Sequence, residues 1–111
     1  TLVFDEIDTG LSGRTAQRMA EKLFDLSLHT QVVAVSHLPQ IASMADTHFL
    51  IEKTTEEERT YSTFTCLDDS AREREMMRLV GGVDITGTTK EHAQEMLSQS
   101  KQYRERNKPH D

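Results

Sequence analysis

Apolar residues fall along this chain in two periods. Leu2-Val3-Phe4 forms an unbroken run that closes on Asp5 and Glu6, and residues 31–36, Gln-Val-Val-Ala-Val-Ser, form a second, β-branched run. Short unbroken runs are the pattern of strands covered on both faces, as in a parallel sheet; a strand with one face in water alternates instead. Between the two runs, Ala16, Met19, Ala20, Leu23 and Phe24 recur at the spacing of one helical face, with Ser12 placed to cap. That predicts a helix from Ser12 to about Leu28. Strand, helix and strand in this order predict a βαβ unit, with parallel neighbours and a right-handed crossover.

Further along, Pro39 suits the first turn of a short helix reaching Ala45. Residues 47–53 and 60–67 read as a strand pair, and the polar link 54–59 joins them as a hairpin with Glu56-Glu57-Glu58 as its solvated tip. Cys66, inside the second of these strands, reads as a small buried hydrophobe. Ser70 with Glu73 has the spacing of a capping box, Met76, Met77 and Val80 form a buried stripe, and Gly81-Gly82 stops the helix. Thr88 with Glu91 starts a last helix, which places Ala93, Met96, Leu97 and Ser100 on one face. The fold class expected is α/β: a parallel βαβ core, a further strand pair and carboxyl-terminal helices, in one partial domain over residues 1–111.

Composition narrows the partners. A length of 111 residues supplies one modest core, not two. Thirteen basic against nineteen acidic residues leave a net charge of −6, a poor match for a general nucleic-acid binder, whose affinity rests on neutralised phosphates. Any DNA contact is expected to be local or to lie in sequence outside this chain. No apolar stretch approaches the roughly 20 residues that span a bilayer, so no membrane partner is expected. The single Cys66 excludes an internal disulfide and fits a reducing cytoplasm. His29, His48, His92 and His110 show no metal-ligand spacing. Lys101, Arg104, Arg106 and Lys108 complement the negative end of the last helix and need no partner. Thr1 opens inside a strand without an initiator Met, the start expected of a piece of a longer protein.

Candidate chemistry sits at the strand ends. Ligands of open α/β sheets collect at the carboxyl ends of the strands, where Asp5-Glu6 closes the first run and Ser36-His37 the second. One Asp is enough for Mg²⁺, which takes one or two protein carboxylates and completes its shell with water and phosphate oxygens. Glu6 is then left to orient or deprotonate water. His37 can reach the same crevice if the two strands are neighbours. The plain alternative is that Asp5, Glu6 and His37 are loop openers and caps.

The run Leu2-Val3-Phe4-Asp5-Glu6-Ile7-Asp8-Thr9-Gly10-Leu11-Ser12-Gly13 resembles the Walker B and D-loop segment of the RecN family, bacterial DNA-repair ATPases related to the SMC proteins and ABC ATPases. Val35-Ser36-His37-Leu38-Pro39-Gln40-Ile41-Ala42, followed by Met44-Ala45-Asp46, resembles the family's switch-histidine region. Ile51-Glu52-Lys53, Gly81-Gly82-Val83 and Thr89-Lys90-Glu91-His92-Ala93 continue the likeness, from Leu2 to about Leu97. The resemblance implies Asp5 as the Mg²⁺ residue and Glu6 and His37 as the catalytic pair, acting on the attacking water and sensing the γ-phosphate. It implies a D-loop of Asp8, Gly10, Ser12 and Gly13 that meets a second head across an ATP sandwich, with the two glycines supplying backbone freedom. It also implies a homodimer of heads in the intact protein, DNA as the target in double-strand break repair and recombination, and a cytoplasmic, nucleoid-associated location.

Part of such a head is absent from the sequence. No G-x-x-x-x-G-K-[ST] phosphate cradle occurs, nor the family's signature motif, nor a long heptad segment. The resemblance therefore implies the carboxyl-terminal portion of an ABC/SMC-type P-loop ATPase head, with the hydrolytic half of a site. Alternatives are the head of another SMC-like or ABC ATPase, a receiver-type phosphorylation domain, or a non-catalytic interaction module. The 111-residue chain alone is expected to bind ATP weakly if at all and not to hydrolyse it. A phosphate-release assay on the purified chain checks this, and turnover lost in Glu6→Gln would contradict it.

Overall fold

Strand β1 (Leu2–Asp5) and strand β2 (Val32–Val35) pair in parallel across helix α1 (Gly13–Ser27), Leu2 opposite Val32 and Asp5 opposite Val35. The computed structural model describes residues 1–5, 12–82 and 86–108. Ser12 caps α1, accepting from the Thr15 backbone N–H at 3.3 Å. The helix buries Ala16, Ala20 and Phe24, one residue per turn along a single stripe. The predicted βα order and its parallel pairing are thus observed.

The expected burial of β1 is not. Val3 is 68% exposed, and Leu2, Val33 and Val35 are each open over more than a third of their surface. Among the described residues this sheet has two strands, so its apolar residues lack the flanking strands and second covering layer that their pattern suits.

After β2 come helix α2 (Pro39–Met44), strands β3 (Phe49–Glu56) and β4 (Arg59–Cys66), and helices α3 (Asp69–Gly81) and α4 (Gly87–Asn107). The core has two parts that meet at α2. Ile41 and Met44 pack with Ala20 and Phe24 of α1, and Ala42 packs with Met76 of α3 and Ala93 of α4. Tyr103 closes the first part edge-on against Phe24, with ring centroids 6.0 Å apart. Met76 and Ala93 are fully buried, as the helical spacing predicts, whereas Met77 and Val80 are only partly covered.

The end of α2 is held by side chains from both carboxyl-terminal helices. The last carbonyls of a helix have no partner within it. Arg72 Nη2 donates to the Ala42 and Ser43 carbonyls, at 3.1 Å each, and also to that of Ala45. Arg104 Nη1 donates to the Ser43 carbonyl at 2.8 Å, and the Ser43 and Ser100 hydroxyls share a buried hydrogen bond of 2.8 Å. Asp46 lies 3.7 Å from Arg104 Nε and 3.8 Å from Lys108 Nζ. The basic end of the last helix therefore does have partners, contrary to expectation, because α4 folds back against the end of α2. Burial, then the neighbouring Arg104, lower the Arg72 pKa, and Asp46 and Asp69 oppose this. Burial and Arg72 likewise hold His48 below the ordinary imidazole range, opposed by Glu75.

Two helix starts differ from those predicted. Asp68, not Ser70, caps α3, accepting from the Ala71 backbone N–H at 2.8 Å. Ser70 is already inside the helix, and Glu73 instead accepts a 3.0 Å hydrogen bond from Gln94 of α4. Thr86, not Thr88, caps α4, for the same reason: the helix begins earlier. Gly82 ends α3 with φ +62°, a conformation that glycine adopts without strain, as the Gly81-Gly82 stop predicts.

The hairpin is longer than its pattern suggested. Thr54, Thr55 and Glu56 pair with Tyr61, Thr60 and Arg59, which leaves a two-residue turn, Glu57-Glu58. Among the described residues β3 and β4 pack on no other element. Cys66 is consequently exposed rather than buried, and Phe49, Ile51 and Phe64, on the same face, are open to solvent. Both turn residues have positive φ, 46° and 67°, as two-residue hairpin turns of this hand require. Glutamate adopts that region at a cost of roughly 1–2 kcal/mol per residue. The double variant Glu57→Asn, Glu58→Gly is expected to slow amide hydrogen exchange in β3 and β4 by about fivefold or more, read by NMR.

Candidate functional site

Asp5 is the last residue of β1 and lies opposite Val35, the last residue of β2. Parallel pairing in this register brings the carboxyl ends of the two strands together at one end of the sheet. Asp5 is exposed there, and Ser36 and His37 leave β2 beside it, with His37 exposed and Ser36 half-buried. The Leu38 N–H donates to Ser36 Oγ at 3.0 Å, which turns the chain into α2 at Pro39. Pro at this first position loses no helical hydrogen bond, since its N–H would have no partner anyway.

The start of α1 reaches the same region through α2. A Cβ on Gly13, the first residue of α1, would lie 3.4 Å from Gln40 Nε2. The Gln40 side chain therefore lies close to the backbone of the first turn of α1, and α2 begins four residues after β2 ends. Ser12 stands at the cap of α1, its hydroxyl 3.0 Å from Thr15 Oγ1. Asp5, Ser12, Gly13 and His37 thus belong to one end of the βαβ unit. Glu6, Asp8 and Gly10 lie outside the described residues, as does His110.

Gly13 does not use the backbone freedom expected of it. It is helical, so what its lack of a side chain provides is room beside Gln40. Gln40 was not among the candidate residues. Among the described residues its buried Oε1 has no hydrogen-bond partner, an arrangement that costs about 1–3 kcal/mol when water is excluded. The Arg72 contacts were equally invisible beforehand, because their acceptors are backbone carbonyls 27 to 30 residues away, which no side-chain spacing reports. Among the described residues no group of three or more His, Cys, Asp or Glu is arranged to hold a metal ion. Asp5 offers a single accessible carboxylate.

No protein-family model matches the chain. Individual proteins do. The DNA repair protein RecN of Bacillus subtilis is 44% identical over 102 residues, covering 92% of this chain and 18% of that protein. RecN of Halalkalibacterium halodurans is 46% identical over 97 residues, covering 87% of this chain and 17% of its own length. RecN of Haemophilus influenzae is 42% identical over 97 residues, with the same coverage. Over the length it spans, this chain is RecN-family sequence. It spans less than a fifth of those relatives, matching a carboxyl-terminal portion. Among the described residues no helix is long and apolar enough to cross a membrane.

Membership in the RecN family and the helical state of Gly13 allow fold and function to be separated at this position. Gly13→Ala places a methyl group in near contact with a flexible side chain, at a backbone conformation that alanine adopts readily. Its thermal unfolding midpoint is expected to stay level or to rise, by the equivalent of about 0.4–1 kcal/mol. A fall of several degrees in a circular-dichroism melt would contradict this placement.

Proposed function

We propose that this chain is the carboxyl-terminal portion of a RecN-type ATPase head, one partial domain over residues 1–111, holding the Walker B, D-loop and switch-histidine segments of an ATP site. The observation that carries the reading is the register of β1 and β2. It sets Asp5 opposite Val35, so that Asp5 and the Ser36-His37 segment that follows β2 share one end of the sheet. Capped loops on unrelated surfaces would not need this coincidence of two family-like segments. The contiguous Asp5-Glu6 pair with His37 after the next strand, in place of carboxylates split across two strands, favours the ATPase reading over a receiver domain.

The donor set at this edge suits Mg²⁺ bound together with nucleotide. Asp5 is an exposed oxygen donor at a strand end, and a cation that takes one or two protein carboxylates needs no larger cluster. When bound with ATP, the metal would neutralise charge on the transferring phosphoryl group. Asp5 would hold it, directly or through water. Glu6 would orient and deprotonate the attacking water. His37 would contact the γ-phosphate. Asp8, Gly10, Ser12 and Gly13 would form the D-loop facing a second head, with two heads closing on two ATP molecules in a homodimer.

The phosphate cradle would come from sequence outside this chain, so neither ATP binding nor hydrolysis belongs to the segment alone. In the intact protein, head closure and reopening would govern engagement of DNA during double-strand break repair and recombination, in the bacterial cytoplasm at the nucleoid. The relatives are DNA repair proteins by name, which supports the repair context.

The test is steady-state ATP hydrolysis by the intact protein that contains this chain. Glu6→Gln is expected to lower kcat by about 10²–10⁴-fold while ATP binding persists, as for loss of a general base. Unchanged turnover in Glu6→Gln would place the catalytic reading behind the interaction module.

A further inference from the structure

Helix α2 starts two residues after His37, and its far end lies in the grip of α3 and α4. It has six residues and no side-chain hydrogen bond capping its amino end. Ile41, Ala42, Ser43 and Met44 are all buried, so its last four residues cannot shift without repacking both parts of the core. Its amino-terminal neighbours, Ser36 and Leu38, are joined by the 3.0 Å hydrogen bond that shapes the turn carrying His37. The direction of that turn therefore depends on where α2 lies.

Where α2 lies depends on Arg72. One guanidinium nitrogen contacts the carbonyls of Ala42, Ser43 and Ala45, which span the last turn of the helix and its exit. The planar guanidinium holds the N–H groups of that nitrogen in a fixed orientation, whereas an ammonium at the end of a flexible stem imposes none. Arg104 adds a second contact at Ser43, and the Ser43–Ser100 hydrogen bond fixes the same residue to α4. Two like charges converging on one short helix end is an arrangement that bulk packing alone does not need.

We infer that Arg72, assisted by Arg104, is a positioning residue for His37: through α2, the carboxyl-terminal helix pair sets where the switch histidine stands relative to Asp5. The inference rests on the reading of His37 proposed above. Arg72 contacts the carbonyls of Ala42, Ser43 and Ala45 and acts through the helix.

The test is a double-mutant cycle in the intact protein, with ATP hydrolysis and the thermal midpoint measured for Arg72→Lys, Arg104→Lys, His37→Ala and each Arg variant combined with His37→Ala. A misplacement near 1 Å can cost about 10²-fold in rate. Arg72→Lys is therefore expected to lower kcat by about 10- to 100-fold, with KM for ATP within about twofold. It is expected to have no further effect once His37 is Ala. That non-additivity is a readout that general loosening of the fold does not produce. If Arg72→Lys fails to fold, Arg104→Lys carries the same comparison, with a smaller loss expected. Should His37→Ala slow hydrolysis while the Arg variants leave kcat intact or multiply independently with it, the positioning role is overturned and the site reading stands. Should His37→Ala leave hydrolysis unchanged, the site reading fails and this inference fails with it.

Discussion

The anchoring of α2 is the constraint on which the remaining structure depends. A six-residue helix cannot stand alone in water: nucleation near 10⁻³ corresponds to about 4 kcal/mol that so few turns do not recover. Burial of Ile41 and Met44 contributes roughly 1.5–3 kcal/mol each. Hydrogen bonds from a charged donor contribute about 1.5–3 kcal/mol, and Arg72 and Arg104 add such bonds to the carbonyls at the end of the helix. Tertiary terms therefore outweigh the local deficit. Because α2 joins both parts of the core, α1 on one side and α3 with α4 on the other are oriented by the same anchor.

The contrast between this packed helical region and the two sheets is informative. The helices bury their stripes against one another, while β1, β2 and the β3–β4 hairpin expose valines, phenylalanines and an isoleucine. Strand sequences of this apolarity are made for layers wider than two strands. The relatives are more than five times as long as the matched segment. The candidate site is as sparse: among the described residues it offers the Asp5 carboxylate and His37 at one end of the β1–β2 sheet.

Much of the fold was legible beforehand, for reasons that differ by element. The α1 stripe and its Ser12 cap, the βαβ order and the Gly81-Gly82 stop follow from local chemistry, and local chemistry decided them. The caps of α3 and α4 were misplaced by two residues, because Ser70-x-x-Glu73 and Thr88-x-x-Glu91 offer the capping-box spacing while Asp68 and Thr86 start each helix sooner. Cys66 and β1 were misjudged because burial depends on what covers a strand, and a strand's own sequence reports only what it was built to be covered by. Asp5 and His37 were legible as site candidates from their positions at the ends of apolar runs. Gln40 was not: its significance lies in an unmatched buried oxygen beside Gly13, and that exists only once two helix starts meet.

The sequence by itself determined the periodicities, the order of elements, the family of the segment and the identity of the residues at the two strand ends. All of these are properties of neighbours along the chain. Only the tertiary structure decided that Asp5 pairs opposite Val35, and that Arg72 and Arg104 close the end of α2. It alone also decided that the hairpin stands clear of the other described elements. The reason is physical: register is an agreement between two strands, and a guanidinium that binds backbone carbonyls can choose any carbonyls the fold presents to it.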